Sequence, residues 1–187
     1  MLQLRTWIMS LLCPVAQAAP GVAQSLRFHL TSADFKDGDT VPATHVYQGN
    51  GCNGRNLSPA LQWHNPPPGT RSFAVTLYDP DAPTGSGWWH WQIFDLPSTE
   101  TGLPQGAGNA DGRRPAGSLQ SRNDYGEVGY GGPCPPPGDR PHRYVFTVFA
   151  LKTGHIEVPA DASCAMVGFM LNASKLGEAS LTATYGR

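Results

Sequence analysis

The chain has 187 residues, a formal net charge of -1 and only 14% charged residues, below the roughly 25% of an average domain. That length supports one domain with a real core rather than two, and the charge balance excludes a nucleic-acid footprint, which needs a basic face. The 22 glycines and 18 prolines fit many turns between short strands better than disorder.

Residues 1–18 read as a signal peptide. Arg5 supplies a thin positive region, Thr6 to Val15 an apolar stretch, and Ala16-Gln17-Ala18 an A-x-A cleavage site. The apolar run is too short to span a bilayer; an ordinary first helix is the competing reading. Cys13 is followed by Pro14, which fits cleavage beyond it better than lipid attachment. Residues 19–187 then form a single domain in the periplasm or outside the cell. In an oxidising compartment Cys52, Cys134 and Cys164 remain. Cys52 and Cys134 lie in Gly/Pro-rich loops and Cys164 in a predicted helix, so a Cys52–Cys134 bridge is the most economical pairing. Three reduced thiols are the alternative. No CxxC or paired Cys/His spacing supports a zinc site.

Ser25 to Ser32 alternates weakly and reads as a strand, followed by a turn at Asp37-Gly38-Asp39. Residues 48–59 form a loop ending in Asn56-Leu57-Ser58-Pro59, and Ala60 to His64 a short strand stopped by three prolines. Arg71 to Tyr78 alternates cleanly, with Phe73, Val75 and Leu77 on one face. Trp88 to Asp95 returns as the next strand, with Trp88, His90, Gln92 and Phe94 expected on one face. Residues 98–141 carry Gly and Pro at short intervals and predict a long ordered loop, of the kind that is functional when it occurs inside a domain. His142 to Leu151 is β-branched and aromatic, with His142, Tyr144, Phe146 and Val148 on one face. A helix is predicted from Asp161 or Ser163 to Leu176, with Gly177 as its stop and Met166, Phe169 or Met170, Ala173 and Leu176 on the sheet. A last strand runs from Ala179 to Tyr185. The fold class is mainly β (α+β): an antiparallel β-sandwich with a peripheral C-terminal helix.

The chemistry concentrates in Tyr78 to Asp95, YDPDAPTGSGWWHWQIFD. Asp79 and Asp81, two apart, project to one side of an extended chain, and Pro80 and Pro83 stiffen the strand end. With His90 on the returning strand, two acids and a histidine meet at adjoining strand ends. His90 or His142 alone reads more readily as a satisfied core histidine; the two together with the Asp79-Pro80-Asp81 motif outline a pocket. Carboxylate and imidazole together also suit a divalent cation, as a weaker third reading.

These motifs, with Tyr130-Gly131-Gly132, Pro135-Pro136, His142-Arg143-Tyr144, Asn56-Leu57-Ser58-Pro59 and Tyr185-Gly186-Arg187, resemble the phosphatidylethanolamine-binding proteins, in particular their bacterial, Raf-kinase-inhibitor-like branch. The resemblance covers nearly all of residues 19–187. It implies a large antiparallel sheet packed on a smaller one and a small cavity for phosphate, phosphorylated head groups or similar anions. The ligand-binding residues it implies are Asp79, Asp81, Trp88, His90, Tyr130, Pro136, His142 and Tyr144, to which the Gly131-Gly132 turn adds backbone N–H groups. Trp89 and Cys134 depart from the animal pattern, which has histidine and glycine there.

In this reading the carboxylates accept hydrogen bonds from His90 and His142 and raise their pKa values, so that imidazolium protons face the anion. The function expected is an exported binding protein that inhibits or regulates a partner. No cofactor, catalytic residue or metal is assigned. The expected partner is an anionic small molecule, with room for a protein target or a homodimer. The alternative is a hydrolase using the Asp/His set for acid–base chemistry. It lacks a G-x-S-x-G elbow, and Ser86 is the only serine near the motif.

Overall fold

The computed structural model describes residues 27–187; the signal-peptide reading of residues 1–18 lies outside them. Ten strands and one helix follow in the order β1 (His29–Ser32), β2 (Gln48–Gly49), β3 (Cys52–Asn53), β4 (Leu61–His64), β5 (Ser72–Asp79), β6 (Trp88–Pro97), β7 (Gly102–Leu103), β8 (Leu119–Gln120), β9 (His142–Leu151), α1 (Cys164–Ser174) and β10 (Lys175–Tyr185). They pair antiparallel into a five-stranded sheet, β10-β9-β5-β6-β8, a three-stranded sheet, β1-β4-β7, and the small β2-β3 hairpin. The mainly β sandwich of a large and a small sheet is thus the observed architecture.

β5 and β9 sit in the middle of the large sheet and are apolar on both faces. One face turns Phe73, Val75, Leu77, Trp91, Ile93, Phe146 and Val148 into the main core, where they meet Leu30, Leu61 and Trp63 of the small sheet. The opposite face turns Ala74, Phe94, Phe149 and Leu151 toward α1, which covers them with Val167 and Leu171. Ser163 caps the helix by accepting the Met166 N–H at 3.2 Å.

The predicted helix face is corrected. Cys164, Val167, Gly168 and Leu171 are buried, whereas Met166, Phe169 and Leu176 are exposed. A helix apolar all round has no unique inward stripe in its sequence; small residues at Cys164 and Gly168 let it approach the sheet. The helix also ends at Ser174 and passes directly into β10. Gly177 is therefore no helix stop. It lies at the register shift between β10 and β9, and a Cβ there would come within 2.9 Å of the Pro67 ring.

The loop expected over 98–141 is ordered, interrupted only by β7 and β8. Its far end is tied to the β2-β3 hairpin by the Cys52–Cys134 disulfide, and Cys164 is a buried free thiol. Replacing both bridged cysteines, as Cys52→Ser with Cys134→Ser, is expected to lower stability by about 2–4 kcal/mol, since the bridge closes a long loop of the unfolded chain. Urea unfolding midpoints compare the two proteins; equal midpoints would show that the sheets alone hold this loop.

Candidate functional site

β5, β6 and β9 come to one edge of the large sheet, where a cavity of about 230 Å³ opens. Asp79 ends β5, Trp88 and His90 begin β6, and His142 and Tyr144 begin β9. Their side chains form the buried floor, except that Trp88 is half-buried. Asn50, Ala82, Pro83, Thr84, Tyr125, Cys134, Pro135 and Pro136 complete the wall and rim.

His90 reaches this floor through a β-bulge. Leu77 pairs with Trp91 and Tyr78 with Trp89, so His90 is the unpaired extra residue. Strict alternation would put it beside Gln92, on the helix side. The bulge instead sends His90 and Trp91 to the same side, and the expected face of Trp88, His90, Gln92 and Phe94 breaks in two. Gln92 donates to the Cys164 carbonyl under α1 and Phe94 joins the core there.

The His90 ring does not meet a carboxylate, which corrects the expected Asp–His pairing on this strand. Its Nδ1 lies 2.7 Å from the Gly131 carbonyl and 3.1 Å from that of Gly132. The backbone answers in kind, since Gly131 donates its N–H to the His90 carbonyl at 2.9 Å. Burial pushes the His90 pKa down to about 4, against the pull of the Gly131 carbonyl and the Asp79 charge. The expected rise is thus reversed, and the ring is neutral through the physiological range.

His142 does pair with an acid. Its Nδ1 is 2.8 Å from Asp79 Oδ2, and its Nε2 is 3.4 Å from Asp139 Oδ2. The other Asp79 oxygen accepts the N–H groups of Asp81 at 2.8 Å and Ala82 at 3.1 Å, an Asx turn that closes the strand end. Both oxygens of Asp79 are therefore occupied by donors.

Asp81 is turned away from the cavity. It accepts Nε and a terminal nitrogen of Arg143 at 2.8 and 3.0 Å, the Arg143 N–H at 2.9 Å and Arg140 at 3.0 Å. The Arg143 hydrogen bonds hold its carboxyl well below the usual carboxylate range. With Asp81 so spent, the Asp79-x-Asp81 pair does not converge on a point where a cation would sit.

Tyr130, Gly131 and Gly132 stand behind the wall rather than on it. Tyr130 donates its hydroxyl to the His45 carbonyl and packs edge-on to Trp91. The Gly131 N–H is given to His90 and the Gly132 N–H to Asn56 Oδ1 at 2.7 Å, so neither faces a ligand. These glycines serve close packing: a Cβ would lie 2.5 Å from the Tyr125 ring at Gly131 and 2.0 Å from the His45 carbonyl at Gly132. Asn56, at φ +52°, also donates to the Tyr130 carbonyl.

Tyr125 is the wall residue that motif reading passes over. It stacks on Tyr47 at 4.0 Å, meets His90 and Trp88 edge-on, and donates its hydroxyl to the Gly132 carbonyl. Its place in Asn123-Asp124-Tyr125-Gly126, inside the 98–141 stretch expected to be a functional loop, is the signal that marks it. Arg187 holds the rim from outside, donating to the carbonyls of Pro135, Gly51 and Asn50 at 2.7, 3.0 and 3.2 Å. Two donors remain unspent in this network: the Tyr144 hydroxyl and the Trp88 indole N–H are buried with no hydrogen-bond partner among the described residues.

Comparison with known proteins fits this arrangement. The family described as phosphatidylethanolamine-binding protein matches residues 31–186. The UPF0098 proteins YbcL and YbhB of Escherichia coli are similar: YbcL is 53% identical over 164 residues, covering 87% of this chain and 90% of its own length. YbhB is 51% identical over 156 residues, covering 83% of this chain and 98% of its own length. The crystal structure of YbcL superposes with a TM-score of 0.83 at 53% identity, covering 86% of this chain and 98% of that one. On this match over most of its length, the chain belongs to the phosphatidylethanolamine-binding protein family.

Proposed function

We propose that the protein is an exported binding protein whose cavity holds phosphate, a phosphorylated head group or a similar anion. The observation that carries this reading is the pair of unspent donors, the Tyr144 hydroxyl and the Trp88 indole N–H, both buried and both on residues that line the cavity. Buried polar groups in folded proteins are almost always hydrogen-bonded, so a guest rich in acceptors would complete them. The acid in the floor is no obstacle, because Asp79 already accepts three donors. His142 lies between two carboxylates, with Nδ1 toward Asp79 and Nε2 toward Asp139.

The residues assigned to the ligand are Trp88, His90, His142, Tyr144 and Pro136, with Asp79 positioning His142. Asp81, Tyr130, Gly131 and Gly132 act one step back, by holding the strand ends and the His90 ring. Export is supported by the Cys52–Cys134 disulfide, since such bridges persist in oxidising compartments. Regulation of a partner protein rests on the resemblance alone. The hydrolase alternative gains no support: Ser86 is not on the cavity wall, and the Thr84 hydroxyl there is given to the Gly87 carbonyl.

Tyr144→Phe removes one unspent donor and nothing that the fold uses. Calorimetric titration with inorganic phosphate is expected to show affinity reduced about tenfold or more, the usual worth of a hydrogen bond to a charged group. Thermal stability of the empty protein should be unchanged or slightly higher. Unchanged phosphate affinity, or no binding by the parent protein, would count against the anion reading.

The neutral His90 also has a signature in stability. Its folded pKa of about 4 lies below the ordinary 6.5, so the unfolded chain takes up the extra proton between those values. This contribution is present above about pH 6.5 and is lost as pH falls toward 4, by at most roughly 3 kcal/mol. Unfolding midpoints measured from pH 7 to 4.5 should therefore fall more steeply for the parent protein than for His90→Asn. Parallel profiles would show that His90 titrates as it does in the unfolded chain.

A further inference from the structure

His90 Nδ1 faces two backbone carbonyls, at 2.7 Å from Gly131 and 3.1 Å from Gly132. Carbonyl oxygens only accept, so Nδ1 carries the hydrogen and the neutral ring keeps a bare lone pair on Nε2. The ring is held against turning over, because Gly131 returns its own N–H to the His90 carbonyl and Asn56 holds the N–H of Gly132. The rings of Tyr125 and Tyr144 meet it edge-on at 5.5 and 5.2 Å. Nε2 has no hydrogen-bond partner among the described residues, and His90 lines the cavity. The floor therefore offers donors, Tyr144 O–H and Trp88 N–H, and one fixed acceptor.

From this pattern of donors and one locked acceptor we infer that the cavity selects an oxyanion that still carries a proton, such as hydrogen phosphate or the monoanion of a phosphomonoester. The P–OH donates to His90 Nε2 while the remaining oxygens accept from Tyr144 and Trp88. A sulfate ion has the same tetrahedral shape but no proton at neutral pH, so one of its oxygens would face the Nε2 lone pair. A phosphodiester, the linkage of an intact phospholipid, lacks the P–OH as well. Sulfate could be accommodated only if His90 took a proton from water, which its burial opposes. This inference rests on the anion reading above and narrows it to free phosphate or monoesters over lipid diesters.

Calorimetry at pH 7 with inorganic phosphate, sulfate and dimethyl phosphate tests it. The expected result is phosphate binding at least about tenfold more tightly than the other two, the worth of one hydrogen bond to a charged group against an unmade one. In His90→Asn the amide nitrogen can keep a bond to the Gly131 carbonyl while the Nε2 acceptor is gone, so the preference for phosphate should collapse. Sulfate or dimethyl phosphate binding within about threefold of phosphate would overturn the inference and leave the anion site standing. Failure of both phosphate and sulfate to bind would overturn the two together. A preference that survives in folded His90→Asn would remove His90 as its source. Should that variant not fold, the comparison of the three ligands on the parent protein decides.

Discussion

Gly131 gives its N–H to the carbonyl of His90 and takes the imidazole N–H in return. Most of the cavity follows from that exchange. It fixes the far end of a long loop onto the first residues of β6, just where the bulge has turned His90 inward. It decides which imidazole nitrogen carries hydrogen, and so what the opposite nitrogen can do. It also brings Gly132 beneath the Tyr125 hydroxyl, which stands that ring up as a wall. A side chain at Gly131 would collide with Tyr125, so the loop sequence is constrained by the ring it supports.

The surrounding network consumes polar groups so that only a few remain. Asp79 is closed on one oxygen by two backbone N–H groups and on the other by His142. Asp81 is consumed by Arg143 and Arg140, an arrangement that pins the β5–β6 turn to the start of β9. The disulfide and the Arg187 guanidinium tie the 134–136 segment to the β2-β3 hairpin. The ties from Asp79 to His142, from Asp81 to Arg143 and Arg140, and from Cys52 and Arg187 to the 134–136 segment each join stretches far apart in sequence. A site assembled from strand ends is thereby given the stiffness that binding groups need if they are to be held in place before the guest arrives.

The sequence yields these parts unevenly, for physical reasons. β9 is legible because His142, Tyr144, Phe146 and Val148 alternate with no irregularity, and all four point where alternation puts them. β6 misleads because Trp88-Trp89-His90-Trp91-Gln92 has no polar–apolar contrast to betray a bulge. Asp81 was expected beside Asp79 on the rule of two, but β5 stops at Asp79 and the Asx turn swings the next residues toward Arg143. For α1, Met166, Phe169 and Leu176 offered as good a stripe as Val167 and Leu171, and only the tertiary fit chose between them. The disulfide pairing was legible from loop composition. The N–H groups of the glycine turn, expected to face the anion, are spent within the fold, and its carbonyls set the state of His90.

The electrostatics of the floor then make sense of an acid placed in a site read as taking anions. A carboxylate that already accepts two backbone N–H groups and an imidazole N–H presents little unshared lone pair to a guest. Its charge acts instead through His142, whose second nitrogen looks toward the partly exposed Asp139. The fold meanwhile tolerates a buried hydroxyl with no partner at Tyr144, an omission that typically costs about 1–3 kcal/mol. Around it, Asn56, Tyr125 and Gln120 all find partners, so the exception is local and not a failing of the network. Among the described residues the fold satisfies its buried polar side chains elsewhere and leaves the donors of Tyr144 and Trp88 on a cavity of about 230 Å³. It is the contrast with their fully bonded neighbours, more than their mere presence, that argues for a guest supplying the missing acceptors.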